Sequence, residues 1–169
     1  MGYVHDIHMS QVLPFKAFHY ATGTWTDDAG QTAGTSCKHL AASAGQTSIV
    51  TIPIMIPQNA VALKGSWLRS VEVNYEITDA ALTSLTASAK VVARGVEGAV
   101  AVPATLAVTQ DLVAATDAAD VDTHKLTVTI TTPQWISNTE YVLLVLTCVQ
   151  PGVNELDIHN AVAHFTLRL

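Results

Sequence analysis

The chain has 169 residues and a mass of 17.9 kDa, so one hydrophobic core suffices, because a chain of this size buries roughly 70% of its extended surface. Only 13% of its residues are charged while 49% are apolar, a small supply of solvating charge that predicts subunit interfaces. The formal charge of −6 and the scattered basic residues exclude an electropositive patch, so neither nucleic acid nor a membrane is expected as a partner.

The first residues carry neither a helical nor a strand period, which predicts an extended N-terminal arm at 1–14, followed by a single domain at 15–169. No basic region precedes an apolar stretch here, so no secretory signal is expected. We expect the arm to attach the protein to a neighbouring subunit or a larger particle and to be mobile in the free protein. The residues predicted to make this attachment are apolar or aromatic: Tyr3, Val4, Ile7, Met9 and Leu13.

Strand-forming composition continues through the next part of the chain. Residues 15–27 are rich in aromatic residues and threonine, 28–36 form a glycine-punctuated loop, and 37–43 predict a further strand. Residues 48–56 are strongly β-forming, but Pro53 cannot donate a hydrogen bond within a sheet, which predicts a sheet edge or a bulge there.

The clearest alternation lies at 67–78, where apolar residues point one way and polar residues the other. Residues 85–94 are predicted to be the returning strand, paired with 67–78 in antiparallel orientation. The apolar set that should face the core is Val71, Val73, Tyr75 and Ile77.

The last part of the chain contains four predicted strands, at 99–111, 123–132, 140–149 and 154–169, and a surface loop or short helix at 112–122. The strand at 140–149 is apolar on both faces, so we expect it to be central and covered on each side. The residues expected to share the core with the strand at 67–78 are Leu126, Val128, Ile130, Phe165, Leu167 and Leu169.

About eight strands with turn signals at roughly ten-residue spacing indicate an all-β fold. The predicted architecture is a two-sheet antiparallel sandwich, jelly-roll-like, with the extended arm at its N-terminus.

No residue set has the pattern of a metal site. His5 and His8 form the tightest histidine pair, but a metal site needs three or four rigidly held ligands. His159 and His164 are five residues apart, which puts them on opposite faces of a strand unless a bulge intervenes. The aspartates at Asp27, Asp28, Asp117, Asp120 and Asp122 lack the spacing of a calcium loop.

No nucleophile is accompanied by a recognisable base and orienting acid, so no catalytic or cofactor-binding residues are predicted and the protein is not expected to be an enzyme. Cys37 and Cys148 are predicted to be reduced, packed thiols. Trp25, Trp67 and Trp135 each lie at a predicted strand end. Such a tryptophan either caps the core, binds a sugar ring or makes a subunit contact.

Three segments carry a resemblance: SVEVNYEITDAALTSLTASAKVVARG at 70–95, THKLTVTITTPQWISNTEYVLLVLT at 123–147, and AVAHFTLRL at 161–169. They resemble small β-sandwich proteins of tailed phages and environmental viruses. The resemblance implies a virion component, either a jelly-roll head-decoration protein or a head fibre, and it brings no catalytic residues.

The implied function is decoration of the outer capsid shell by a trimer that binds the major capsid protein and reinforces the shell. The implied location is the capsid surface, after assembly in the host cytoplasm. The alternatives are another virion component, such as a tail, baseplate or fibre protein, and a carbohydrate-binding β-sandwich module.

Overall fold

The fold consists of two antiparallel sheets that enclose one core. The computed structural model describes residues 6–27, 35–55, 65–78, 80–93, 102–111, 123–137 and 139–168. An eight-stranded sheet, sheet A, packs on a five-stranded sheet, sheet B. This arrangement confirms the predicted all-β sandwich.

Sheet A has the order β3-β4-β13-β6-β10-β9, with β1 also paired to β13 and β11 also paired to β6. Its strands are β1 (Asp6–Pro14), β3 (Trp25–Asp27), β4 (Cys37–Ala41), β6 (Gly65–Ile77), β9 (Val108–Gln110), β10 (Thr123–Ile130), β11 (Trp135–Ser137) and β13 (Asn154–Arg168).

Sheet B has the order β2-β5-β12-β7-β8. Its strands are β2 (His19–Thr22), β5 (Thr47–Met55), β7 (Ser84–Ala93), β8 (Ala104–Leu106) and β12 (Glu140–Val149). A 3-10 turn at Phe15–Ala17 joins β1 to β2. Within the described residues, no helix has the length and apolar character needed to span a bilayer.

The predicted inward face of β6 is confirmed. Val71, Val73 and Tyr75 are all at most 1% exposed. On the neighbouring strand β10, Leu126 lies opposite Val73 and Val128 opposite Val71, so the apolar sets of both strands enter the same core. Phe165 and Leu167 on β13 are also buried, and Leu169 lies outside the described residues.

The predicted pairing of 67–78 with 85–94 is wrong. The first segment is β6 of sheet A, and the second is β7 of sheet B. β6 pairs with β13 and β10, whereas β7 pairs with β12 and β8. Period-two alternation specifies which face of a strand is buried but not which strand lies beside it, so proximity in sequence was a poor guide.

The segment predicted as an N-terminal arm is extended, and its described part is strand β1 of this chain's own sheet. Asp6–Pro14 pairs with β13 in an unbroken antiparallel register, from Asp6 opposite Arg168 to Pro14 opposite Asn160. The strand showed no period in the sequence because it is exposed on both faces along most of its length, with Leu13 its only buried side chain. Tyr3 and Val4 lie outside the described residues.

Strand β12 is central, as predicted, but it is covered on one face only by described residues. Val142, Leu144 and Leu146 are at most 1% exposed and face the core. The alternate residues Leu143 and Val145 are partly exposed on the outer face of sheet B. The loop or helix predicted at 112–122 lies outside the described residues.

We predict that Val73→Asp unfolds the domain, since a buried, unpaired carboxylate costs several kcal/mol against a total stability of about 5–15 kcal/mol. Thr129→Asp is the matched control, because Thr129 is an exposed residue of β10 and the same carboxylate stays in water there. Circular dichroism during heating measures both. A Val73→Asp protein that melts with the parent would contradict the assigned faces.

Candidate functional site

Two β-bulges decide which side chains lie on the outer face of sheet A. Ile158 lies opposite Tyr75 and Asn160 opposite Asn74, which leaves His159 as an extra residue in β13. The extra residue reverses the alternation, so His159 and His164 both lie on the outer face. From the spacing in the sequence, a regular strand places the two histidines on opposite faces. The bulge brings them to the same face.

Polar side chains form a continuous row across this face. The Lys125 ammonium donates to Glu72 Oε1 at 3.1 Å, and Glu72 Oε2 lies 3.7 Å from His164 Nε2. On the other side of the His164 ring, Nδ1 is 2.9 Å from Ser10 Oγ. The row therefore connects four neighbouring strands, β10, β6, β13 and β1.

The second bulge lies in β6 and turns Arg69 outward. His164 lies opposite Ser70 and Phe165 opposite Leu68, so Arg69 is the unpaired residue between them. Arg69 Nε donates to Thr166 Oγ1 at 3.0 Å. Because Thr166 is only 1% exposed, this bond ties one end of the exposed guanidinium to a fixed point of β13.

Beside Arg69, an open cleft of about 320 Å³ is lined by Asp6, Trp67, Arg69, Pro133 and Thr166. Trp135 lies directly opposite Trp67 on the paired strand β11. The two indole rings meet edge to face with their centroids 5.9 Å apart. The cleft thus combines the indole of Trp67, which Trp135 contacts from the neighbouring strand, with one carboxylate, one guanidinium and one hydroxyl.

Trp25 has a different environment from Trp67 and Trp135. It packs against the core, and its indole N–H donates to the Thr22 carbonyl at 2.9 Å. Trp67 and Trp135 lie outside the core cluster, and within the described part of the chain neither indole N–H has a hydrogen-bond partner. Trp25 is therefore a core cap, while Trp67 and Trp135 are available to a ligand.

A larger cleft of about 620 Å³ lies near Trp25, at the side of the sandwich formed by β2 and β3. Its walls include the buried core residues Phe15 and Phe18. The Tyr20 hydroxyl donates to the Phe15 carbonyl at 3.1 Å, and burial raises the pKa of this phenol above its ordinary value. These aromatic side chains already pack within the fold, so we interpret this cleft as a feature of core packing and not as the candidate binding site.

His39 is buried in the same region, 2% exposed, with its ring centroid 5.0 Å from that of Trp25. Gly23 makes room for it: its φ of +98° favours glycine, and a Cβ there would overlap the His39 ring. Burial lowers the pKa of His39, opposed by a hydrogen bond to Gln150.

The remaining predicted positions are distributed as follows. Ile7 and Met9 are exposed, while Leu13 is buried. Cys37 and Cys148 are free thiols in the core, and burial raises the pKa of both. No group of three histidine, cysteine or acidic side chains suited to a metal ion occurs among the described residues. His5, Asp28, Asp117, Asp120 and Asp122 lie outside them.

No protein-family model and no curated protein matches the chain. Among solved structures, it is similar to a carbohydrate-binding module of the β-sandwich superfamily, with 9% identity and a TM-score of 0.44 over 92% of this chain and 54% of that one. It is also similar to the CBM22-1–GH10 modules of Clostridium thermocellum xylanase 10B, with 9% identity and a TM-score of 0.43 over 93% and 28%.

A third similar structure is the enzymatically active domain of bacteriophage CBA120 tailspike protein 4, with 11% identity and a TM-score of 0.36 over 92% of this chain and 19% of that one. The chain thus spans about half, or less, of each of these structures. The similarity concerns the β-sandwich architecture.

We predict that stability falls as the pH drops below about 6.5, the ordinary pKa of histidine, because unfolded His39 then binds a proton that the folded state resists. The contribution is fully present above that pKa and is lost towards lower pH. Urea unfolding between pH 7.5 and 5 measures this dependence.

His39→Gln should reduce the slope of the unfolding free energy against pH, because unfolding then takes up a fraction of a proton less. His19→Gln, at an exposed position of β2, should leave this slope unchanged. An unchanged slope in His39→Gln would show that other groups cause the acid sensitivity.

Proposed function

We propose that this protein is a non-catalytic glycan-binding module and that the cleft beside Trp67 on sheet A is its binding site. The observation that carries the proposal is the pair Trp67 and Trp135, which lies outside the core, partly exposed, beside Arg69 and Asp6. Among the described residues neither indole N–H has a hydrogen-bond partner, whereas a buried tryptophan usually has one, so both N–H groups can donate to a ligand.

The chemistry of the cleft matches a pyranose ring. The apolar C–H face of a sugar packs on an indole ring, and its hydroxyls require both donors and acceptors at the rim. Arg69 supplies donors through its guanidinium, Asp6 supplies carboxylate acceptors, and the indole N–H groups add further donors. The presence of one acid and one base favours a neutral sugar over a strongly anionic one.

The side chains that would contact the sugar are held in place before binding. Arg69 is fixed through Nε by Thr166, and Trp67 is fixed by its edge-to-face contact with Trp135. Holding these groups in place reduces the conformational entropy that binding would otherwise cost. The two further β11–β6 pairs, Ile136 with Ser66 and Ser137 with Gly65, supply rigid support on one side of Trp67.

A panel of soluble neutral hexasaccharides, titrated against tryptophan fluorescence and confirmed by calorimetry, tests this proposal. We expect saturable binding that Trp67→Ala weakens at least tenfold, a loss of about 1.4 kcal/mol. Arg69→Ala should weaken it several-fold by removing hydroxyl donors.

Lys90→Ala is the matched control for Arg69→Ala, because Lys90 is an exposed cation on the other sheet, and it should leave affinity unchanged. Absence of binding to any glycan of the panel, or full affinity in folded Trp67→Ala, would refute the site.

A second candidate is the structural virion role implied by the sequence resemblance, in which a trimer decorates the capsid surface by binding the major capsid protein. The observation that favours it is a group of apolar side chains on the outer face of sheet B, on the side of β12 away from Lys90 and Ser88. Leu143 and Val145 lie there beside Pro53 and Thr51 across the β12–β5 pair, and Met55 at the end of β5 is 55% exposed. Among the described residues nothing covers this face, and burial against neighbouring subunits would stabilise it.

Val145→Lys tests that candidate, since a lysine on this face would disrupt an apolar subunit contact while remaining solvated in a monomer. If the parent has three subunit masses in light scattering, the variant should have one. A parent protein with one subunit mass would contradict the trimer.

A further inference from the structure

The outer edge of β1 has free main-chain hydrogen-bonding groups. Among the described elements, only β13 pairs with β1, and the pairing runs without a register shift over nine residues, Asp6–Pro14. Within the part of the chain that the structure describes, no strand pairs with the N–H and C=O groups that point away from β13. Such an edge is a template for another strand.

This edge lacks the features by which proteins usually protect a free strand. It has no lysine, no bulge, and no proline before its last residue. Instead, Ile7 is 41% exposed, Met9 39% and Val12 66%. Apolar side chains thus flank the free main-chain groups on both faces of the strand.

The length of the edge indicates what pairs with it. The other strands at sheet edges in the described part of the chain, β2, β3, β8, β9 and β11, have only three or four residues. None of them can match a nine-residue edge in a neighbouring molecule. The strand of matching length is β1 of a second copy of this chain.

We propose that the protein forms a two-fold symmetric dimer in which the β1 strands of two copies pair in antiparallel orientation and continue sheet A across the axis. An antiparallel pair of identical strands is necessarily related by a two-fold axis, so this contact closes at two subunits. Asp6 belongs both to β1 and to the cleft, but the observations that carry the dimer, the length and composition of the β1 edge, do not depend on glycan binding.

The faces and charges of β1 agree with such pairing. Ile7 and Met9 lie opposite the inward-facing residues Leu167 and Phe165 of β13, so both belong to the inner face of sheet A. A two-fold axis through either Met9 or Ser10 places the inner face of sheet A in one copy beside the inner face in the other. The partner then covers the exposed parts of Ile7 and Met9.

Like charges do not meet in either register. Asp6 is the only acidic or basic residue of β1 apart from a histidine. With the axis at Met9 it lies opposite Val12 of the second copy, and with the axis at Ser10 it lies opposite Pro14. Cross-strand repulsion, which would oppose self-pairing, is therefore absent.

Light scattering on the full chain at micromolar concentration tests the dimer. We expect two subunit masses for the parent and one for Met9→Lys, because a lysine on the inner face of the edge strand would be desolvated by the partner. Val153→Lys is the control: Val153 is 67% exposed in the turn between β12 and β13, away from β1 and from the outer face of sheet B, and this variant should keep two subunit masses.

Cysteine cross-linking provides a test that does not depend on the folding of Met9→Lys. Cys37 and Cys148 are 4% and 0% exposed, so the introduced surface thiol is the one accessible to the oxidant. Mild oxidation should link two chains through Met9→Cys or through Ser10→Cys, whichever lies on the axis, and not through Val153→Cys. A parent with one or three subunit masses, or no cross-linking at either β1 position, would overturn the dimer.

Discussion

The pairing of β13 along its whole length is the constraint on which the rest of the structure depends. This strand of 15 residues is bordered by β6 on one side and by β4 and then β1 on the other. Its inner face is buried over both halves, from Leu156 to Phe165. Three strands of sheet A therefore take their positions from β13, and non-local contacts of this kind fix the sheet only when the chain has folded as a whole.

The two bulges in the β13–β6 pairing determine which polar side chains lie on the outer face of sheet A. An extra residue in each strand keeps apolar side chains in the core on both sides of the bulge while it changes which polar residues face outward. His159 and Arg69 are those extra residues. Without them, His164 and Arg69 would not lie on the same face as Glu72 and Thr166, and neither the polar row nor the Trp67 cleft would form.

The three tryptophans show how similar local sequences lead to different roles. Trp25 lies beside Tyr20 and His39, with ring centroids 4.7 and 5.0 Å away, and its N–H is satisfied by Thr22. Trp67 and Trp135 face each other across a strand pair on the outer surface. A tryptophan whose polar atom is satisfied stabilises the fold, whereas one with a free N–H at a cleft is suited to a ligand.

The fold class and the buried faces of the long strands follow from the order of the amino acids alone. Alternation at β6 and β10 identified Val71, Val73 and Leu126 as core residues, because a strand with one buried face must repeat every second residue. The short strands β3, β8, β9 and β11 are too brief for a period to be recognised.

The three-dimensional arrangement is needed to learn which strands pair, where the bulges lie and which tryptophan packs against the core. The order in the chain predicts that β6 and β7 pair, but they lie in different sheets. β1 has no sequence period because it is exposed on both faces, yet main-chain hydrogen bonds, which carry no sequence signature, place it in sheet A beside β13. The cleft beside Trp67 brings together residues of β1, β6 and β13 that are distant in sequence, and the physical reason is the same: local composition specifies the face of a strand, while its neighbours are selected by the packing of the whole core.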